Sequence, residues 1–187
     1  MRGKTIAELA PGDRAELTRV VQRDDVAEFI DAVGDLNPLH SDPAYAATTS
    51  FKEPIAPGIF TAGLISAVIG TRLPGPGAIY LSQSLKFVKP VKAGDTITAR
   101  VEVVEVVPER NRIRLQTVCA NQRGEEVLSG EAWVMPSRTS VVYETPAPRP
   151  AARFWAVPPW AWAAHGLALW GMWNLSLLEA GLGRRGS

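Results

Sequence analysis

The sequence predicts an α+β domain, and two patterns carry that prediction. Residues 59–70 (IFTAGLISAVIG) are apolar on nearly every face, which is typical of a buried helix. Four later segments alternate apolar with polar residues, as strands do: 79–88, 96–107, 111–121 and 125–135. A buried helix followed by long antiparallel strands favours a sheet that packs the helix on one face.

Length, charge and cysteine content narrow the class of protein. The chain has 187 residues, enough for one full domain but not for two large ones. Hydrophobic residues make up 46% and charged residues 21%, which excludes a chain that is disordered throughout. The net charge of +1 comes without a basic stripe, so we expect no nucleic-acid partner. The single cysteine, Cys119, and the absence of an apolar segment in residues 1–14 favour a cytoplasmic protein.

A strand, a helix and a polar loop are predicted ahead of the apolar helix. Residues 14–22 form the strand, and a helix begins at Asp24 and ends at Gly34 because apolar residues between them recur at helical spacing. Pro38 and Pro43 then interrupt the helix. The prediction for residues 35–43 is therefore a loop, followed by a short helix over 44–48.

The domain organisation follows from composition. The strand pattern ends by Met135, so residues 1–136 are predicted to form the folded domain. Residues 137–153 contain three closely spaced prolines and are predicted to be an extended linker. Residues 154–187 form a tail that holds five of the six tryptophans.

Asp35 and His40 are the candidate catalytic pair. They lie on a proline-stiffened loop that also carries Asn37, and acid–base catalysis requires such groups to be fixed near one another. The alternative is structural: an Asp that ends a helix and a His that hydrogen-bonds the backbone. The residue types alone leave both interpretations open.

At this loop the chain resembles a known family. Phe29 and the segment GDLNPLHSDPAYA (34–46) are similar to the signature of the MaoC-like (R)-specific enoyl-CoA hydratases. The resemblance continues through FKEPIAPG (51–58), LPGPGAIYLSQSLKF (73–87) and GDT (94–96), and it covers about residues 10–136. Several motifs in the same order make this a more specific signal than one short match.

The resemblance implies a fold and a reaction. The family has the hotdog fold, an antiparallel sheet wrapped around one long helix, and usually forms a dimer, so a homodimer is expected. Its enzymes add water reversibly to the 2,3 double bond of an enoyl-CoA thioester and produce the (R)-3-hydroxyacyl-CoA. The resemblance therefore implies an acyl-CoA substrate, and neither a metal nor an organic cofactor. The product is a monomer precursor for polyhydroxyalkanoate synthesis, and it is also a type of intermediate that occurs in fatty-acid metabolism.

The resemblance also assigns residues. Asp35 and His40 match the family's catalytic pair, which holds one water between carboxylate and imidazole; either group can be the formal base, because a coupled pair shares its protons. Gly58 matches a glycine whose backbone N–H binds the thioester oxygen. Asn37 and Ser66 match supporting residues. Structural alternatives remain for three of them: a turn before proline for Asn37, clearance between helix and strand for Gly58, and a hydrogen bond to the preceding turn for Ser66.

The sequence departs from the family pattern at two positions. Pro57 stands where many relatives have histidine, which removes one N–H and one imidazole near the thioester. Val33 stands where relatives often have a small hydroxyl residue. Neither position belongs to the Asp35–His40 pair, so we expect activity, with an altered acyl preference or rate.

Two other functions are considered. A hotdog acyl-CoA thioesterase would use an acidic residue without this loop, and a non-catalytic protein bound to a granule or membrane would depend on the tail. Cys119 lies in an alternating strand pattern, and we expect it to be a packing residue.

The tail is the part of the sequence that the family does not explain. Residues 154–178 contain no charged side chain and are long enough to cross a bilayer. Polar residues and glycines lower their hydrophobicity, and tryptophan favours interfaces. We expect attachment to a granule or membrane surface, with protein packing and a true membrane span as the alternatives.

Overall fold

The computed structural model describes residues 1–144, in which helices and strands follow one another along the chain. The elements are β1 (Arg2–Gly3), β2 (Arg14–Val20), α1 (Arg23–Val33), α2 (Pro38–Ser41), α3 (Pro43–Thr48), α4 (Gly58–Thr71), β3 (Ile79–Gln83), β4 (Lys86–Phe87), β5 (Thr96–Val107), β6 (Arg112–Ala120), β7 (Glu126–Met135) and β8 (Val141–Val142). Short 3-10 helices lie at Ile6–Glu8 and Pro108–Arg110.

The main sheet is antiparallel and confirms the predicted strands. Its order is β2-β5-β6-β7-β3, and β4 also pairs with β7. The segment 79–88 is not one continuous strand as predicted, because the chain bends at Ser84 and Leu85 between β3 and β4. The Ser84 hydroxyl accepts a hydrogen bond from the N–H of Glu131 at 3.0 Å, so a side chain supplies a pairing that the backbone ladder lacks there.

Helix α4 packs on one face of this sheet and completes a hotdog fold. It packs mainly against β5, β2 and β6. The fully or nearly fully buried apolar core includes Leu64, Ile65, Val68, Ile97, Val101, Ile113, Leu115, Leu128 and Val134.

The prediction that α4 is buried all round is wrong for the single chain. Four residues at helical spacing, Ile59, Gly63, Ser66 and Gly70, form an exposed stripe along the helix. Ile59 is 56% exposed. The stripe is made of small or apolar residues, which is why its exposure could not be read from the periodicity.

Helix α1 and the segment after it cover one end of the sheet and helix layer. Gly34 ends α1 with a φ of 71°, a left-handed conformation that favours glycine, and its N–H donates to the carbonyl of Ile30. The Phe29 ring of α1 packs edge-on against Phe60 of α4, with ring centroids 5.7 Å apart. This contact joins the helix that precedes the polar loop to the central helix.

The sequence predicted that the polar segment 35–43 is a loop throughout, but the segment contains a helical turn. Pro38 opens α2 as its first residue, where the missing N–H costs nothing, and Asp42 separates α2 from α3. The Asp42 carboxylate accepts hydrogen bonds from the N–H groups of Ala44 and Tyr45, at 2.8 and 3.1 Å. Helix α2 thus replaces part of the predicted loop, whereas α3 confirms the short helix predicted over 44–48.

A small second sheet lies beyond the predicted end of the strands. β8 lies within the segment predicted as linker, and it pairs with β1: Val142 is opposite Arg2 and Val141 is opposite Gly3. The expectation that strand structure ends by Met135 is therefore wrong. Residues 145–153 of the predicted linker and the whole apolar tail lie outside the described residues.

Gly130 in β7 marks a close crossing of the chain. A Cβ atom at this position would lie 1.8 Å from the carbonyl oxygen of Ser84. The missing side chain also gives room for the Gln83 side chain, whose Nε2 reaches over β7 to donate to the Thr117 hydroxyl of β6 at 2.9 Å. The bend between β3 and β4 thus depends on a glycine in the neighbouring strand.

Among the helices of residues 1–144, none combines the length and the apolar character that crossing a bilayer requires.

Candidate active site

The end of helix α1 fixes the position of Asp35. Its backbone N–H donates to the carbonyl of Ile30 at 3.1 Å, one residue after the glycine that ends the helix. One carboxylate oxygen, Oδ1, accepts a hydrogen bond from the N–H of Asn37 at 3.2 Å. The other oxygen, Oδ2, is left to face His40, and the side chain is 35% exposed.

Asn37 caps the helix that carries His40. Its Oδ1 accepts a hydrogen bond from the N–H of Leu39 at 3.1 Å, and the amide makes no contact with the imidazole. Of the two interpretations of Asn37, the geometry matches an effect on the backbone around His40. Asp35, Asn37 and His40 are brought together within one turn of chain.

The ring of His40 is held by a backbone carbonyl. Its Nδ1 lies 2.7 Å from the carbonyl oxygen of Ile55, and the N–H of Ile55 in turn donates to the carbonyl of Leu39 at 3.3 Å. A carbonyl oxygen only accepts hydrogen bonds, so Nδ1 carries the hydrogen. The remaining nitrogen, Nε2, is directed at Asp35.

The two candidate catalytic groups are close without touching. His40 Nε2 lies 3.6 Å from Asp35 Oδ2, longer than a direct hydrogen bond. In the neutral imidazole, Nε2 is an acceptor, and the carboxylate is an acceptor too. A single water between them can donate one hydrogen to each, which is how two acceptors at this separation hold a nucleophile.

His40 also lines a cavity of about 300 Å³. Helix α1 and the segment around Ile55 form most of its wall, and the wall is largely apolar. Charged side chains, among them Arg23 and Asp31, line it as well. The His40 side chain is only 11% exposed, so most of its ring is enclosed.

Gly58 is the first residue of α4 and lies next to an aromatic ring. The first N–H groups of a helix have no partner within it and stand at the positive end of its dipole. A Cβ at Gly58 would lie 2.5 Å from Cε1 and 2.7 Å from Cδ1 of Phe87. The clearance interpretation therefore has a physical basis, and it is compatible with an N–H that binds substrate.

Pro57 precedes α4, and Ser66 lies in the middle of it. Pro57 is the N-cap residue of the helix, with an extended ψ of 135°. Ser66 lies on the exposed stripe of α4 and has no hydrogen-bond partner among residues 1–144, so the structural alternative, a bond to the preceding turn, does not form. The structure does not bring Ser66 into contact with Asp35 or His40.

Two titratable groups lie in the core instead. Burial raises the pKa of the Cys119 thiol to about 12, and burial together with the nearby thiol raises the pKa of Tyr80 to about 12. The Cys119 side chain is fully buried, with its Sγ 3.8 Å from the carbonyl of Thr61 in α4. The prediction that Cys119 is a packing residue is confirmed.

Two features of this site could not be predicted from the sequence. Ile55 acts through its carbonyl, and a backbone atom has no residue type to detect. Phe87 lies 29 residues after Gly58, and only the folded sheet brings the two together. Within residues 1–144 no three His, Cys, Asp or Glu side chains lie close enough to hold a metal ion.

Comparisons with known proteins agree with this arrangement. The MaoC like domain family matches residues 8–123. The chain is 51% identical over 118 residues to a 3-hydroxybutyryl-CoA dehydratase of Methylorubrum extorquens, which covers 63% of this chain and 74% of the relative. It is 48% identical over 128 residues to an (R)-specific enoyl-CoA hydratase of Rhodospirillum rubrum, covering 68% of this chain and 88% of the relative.

A solved structure extends the similarity to the fold. The R-hydratase PhaJ1 from Pseudomonas aeruginosa, in its unliganded form, superposes with a TM-score of 0.75 at 44% identity. The match covers 81% of this chain and 97% of that one. With the family match over more than half of its length, and with relatives of this identity, the chain belongs to the MaoC-like domain family.

Proposed function

We propose that this protein is an (R)-specific enoyl-CoA hydratase that adds water reversibly to a trans-2-enoyl-CoA. The observation that carries the proposal is the pair of acceptors, Asp35 Oδ2 and His40 Nε2, held 3.6 Å apart. Relatives at 48–51% identity are named for this reaction or its reverse. The substrate class is an acyl-CoA thioester.

In the proposed reaction the dyad holds the attacking water and moves its proton. The water oxygen forms a bond to C3 while the 2,3 π bond breaks, one proton of the water passes to the dyad, and one proton is delivered from the dyad to C2. The dyad ends in its starting protonation state. Both groups lie on one side of the bound water, which favours addition of both atoms to the same face of the alkene.

His40 can take part because its orientation does not depend on the substrate. The Ile55 carbonyl keeps the hydrogen on Nδ1, so Nε2 presents its lone pair to the water throughout. The cap that Asn37 provides holds the backbone of this short helix and gives Asn37 a positioning role. An oriented base that needs no reorganisation lowers the barrier in the way that preorganised sites do.

Negative charge develops on the thioester oxygen as water attacks C3. We assign its stabilisation to the N–H of Gly58, at the positive end of α4. We also assign Ser66 a supporting role in the site. Because Ser66 lies on the exposed stripe of α4, it takes that role when a second copy of the chain packs against the stripe.

A homodimer is part of the proposal. β3 is an edge strand of the described sheet, and its Ile79 and Leu81 are 53% and 40% exposed. An unpaired edge with apolar side chains, together with the exposed stripe of α4, is the kind of surface that a partner covers.

The test is turnover by the purified full-length protein. We expect crotonyl-CoA to lose the absorbance of its conjugated thioester without release of free thiol, and the product to be (R)-3-hydroxybutyryl-CoA by chiral analysis. Release of CoA thiol would identify a thioesterase instead, and an (S) product would contradict the proposed geometry.

For the tail we propose attachment to an apolar surface, such as that of a polyester granule or a membrane. Residues 154–178 combine five tryptophans with no charged side chain, and they lie outside the described residues. An apolar segment of this size favours an interface. The (R)-3-hydroxyacyl-CoA product gives a reason for a granule, because monomer would be released beside the polymerising enzyme.

Attachment is tested with two fluorescent fusions in a polyester-accumulating cell: the full chain and residues 1–144. We expect only the full chain to collect at granules or membranes. Equal, diffuse fluorescence of both fusions would exclude attachment through the tail.

A further inference from the structure

Phe87 lies on the helix-bearing face of the sheet. It is paired with Leu128 of β7, and residues directly opposite each other in antiparallel strands project to the same face. Leu128 is fully buried, whereas 52% of Phe87 is exposed. A large aromatic side chain on the core side of the sheet is therefore only half covered.

The covered half of Phe87 rests on Gly58. An ideal Cβ at residue 58 would lie between 2.5 and 3.0 Å from three atoms of the ring, so a side chain there would push the ring aside. Gly58 lies in the first turn of α4, a conformation that alanine adopts freely. The obstacle to a side chain at residue 58 is therefore the ring in its present position and not the backbone conformation.

The ring also lies near the Asp35–His40 dyad. Ile55, whose carbonyl holds His40, precedes Gly58 by three residues, a span of at most about 11 Å in extended chain. The N–H of Ala56 donates to the carbonyl of Val91 at 2.8 Å, which ties this connecting segment to the body of the domain. The dyad, the helix N-terminus and Phe87 are thus joined by one short fixed segment.

We infer that the open face of the Phe87 ring contacts the thioester group of the substrate and shields it from water at the N-terminus of α4. This inference rests on the proposed hydratase function. Excluding water strengthens the hydrogen bond between a helix N–H and an oxygen that gains charge. Sulfur against an aromatic ring is itself a favourable contact. Phe87 thereby contributes both binding and transition-state stabilisation.

The test compares Phe87→Leu and Phe87→Ala with the matched control Val88→Ala. Val88 is the next residue and is 44% exposed. Its backbone N–H donates to the carbonyl of Val127, and this bond does not depend on the side chain at residue 88. We expect kcat/KM for crotonyl-CoA to fall at least about tenfold in Phe87→Ala and less in Phe87→Leu, as for loss of apolar contact in a substrate pocket. Val88→Ala stays within about twofold of wild type. Equal effects at both positions would overturn the inference.

A second substrate locates the contact. Crotonyl-N-acetylcysteamine keeps the acyl and thioester groups but lacks the nucleotide of CoA. We expect the Phe87 variants to lose the same factor in kcat/KM with both substrates. A loss confined to the CoA substrate would place the ring against another part of CoA and overturn the thioester assignment.

The contact with Gly58 is tested by a double-mutant cycle. Gly58→Ala displaces the ring and should lower kcat/KM, whereas Gly58→Ala combined with Phe87→Ala should be no worse than Phe87→Ala alone. Fully additive losses would show that residue 58 acts independently of the ring. Thermal unfolding and size-exclusion chromatography accompany each variant, and we expect both to remain unchanged in Phe87→Leu.

Altered association of Phe87→Leu would indicate that a second copy of the chain covers the ring, which contradicts the inference. The wild-type assay separates this inference from the proposed function. A wild-type protein inactive on both thioesters refutes the hydratase proposal, whereas an active wild type with unaffected Phe87 variants refutes the role of Phe87 alone.

Discussion

The Asp35–His40 pair and the Tyr80–Cys119 pair both consist of titratable side chains, but their surroundings differ. Asp35 is one-third exposed, and each of the first two residues is held by hydrogen bonds to the backbone. Cys119 lies within the apolar core and the partly buried Tyr80 packs against it, and burial raises both pKa values to about 12. The thiol and the phenol therefore stay protonated to high pH. The oriented carboxylate and imidazole, in contrast, both lie on the short segment from Asp35 to His40.

This difference indicates that a titratable residue becomes able to take part in catalysis because neighbouring groups orient it, more than because it is buried. His40 is nearly as enclosed as the core residues, but each of its ring nitrogens faces a particular group. Nδ1 donates to a backbone carbonyl, and Nε2 faces the carboxylate of Asp35. Cys119 has only a weak contact to the Thr61 carbonyl and no base. Four predictions test this contrast.

The largest effect is expected at the dyad. Asp35→Asn and His40→Gln each remove one of the two groups that can take a proton from the water, so turnover should fall at least ~10²-fold, the usual loss for an acid–base group. The measurement is the initial rate with crotonyl-CoA at saturation. Asp31→Asn is the control, since this exposed carboxylate lines the same cavity as His40 but makes no hydrogen bond to the dyad. Near-normal turnover of either dyad variant, with an unchanged circular dichroism spectrum, would refute the mechanism.

A smaller effect is expected from the cap that positions His40. Asn37→Ala leaves the Leu39 N–H without its acceptor, at a cost of about 1 kcal/mol in local stability, and turnover should fall by up to about tenfold. Asn37→Ser restores an oxygen acceptor and should recover most of the rate. If serine and alanine have the same rate, the cap does not act on catalysis.

The core pair predicts a loss of stability at alkaline pH. Both pKa values are raised in the folded state, so their contribution is complete below the ordinary pKa values, about 9 for Cys119 and 10 for Tyr80. It disappears as the pH rises toward 12, because the unfolded chain releases these protons first. Urea unfolding between pH 8 and 11 should show a free energy that declines less in Cys119→Ala than in wild type. Parallel declines would mean that the thiol does not titrate differently on folding.

The smallest effect is expected from removal of the tail. A chain that ends after Glu144 keeps β8 and its pairing with β1, so hydratase activity should stay within about twofold of the full-length protein. A chain that ends after Ser137 loses that pairing and should melt at a lower temperature. An inactive or aggregated 1–144 protein would show that the domain requires the residues beyond it.

The sequence predicted those parts of the fold that local patterns determine. Gly34 as a helix end, the strand over 96–107 and the polar residues on a proline-containing segment all follow from spacing and residue type. Asp35 and His40 were recognisable because a carboxylate and an imidazole were placed five residues apart between two turns. The geometry then brought them within 3.6 Å.

The remaining features depend on contacts that no local pattern describes. Strand β8 has only two residues, too few for any periodicity. The exposed stripe of α4 consists of residues that suit a core equally well, so the pattern indicated burial. The contact between Gly58 and Phe87 joins distant parts of the chain, and its only local trace is a glycine at a helix start, which has several explanations.

Gly130 has a consequence for anyone who diversifies this enzyme. The carbonyl of Ser84 occupies the space where any side chain at residue 130 would begin, and the obstacle is main chain, which no rotamer change relieves. A saturation library at this position should return glycine alone among functional clones, whereas the flanking Ser129 and Glu131 should tolerate many residues. We therefore expect that residue 130 cannot be varied in directed evolution. This holds although the residue lies in a strand, where many other amino acids suit a sheet better than glycine does.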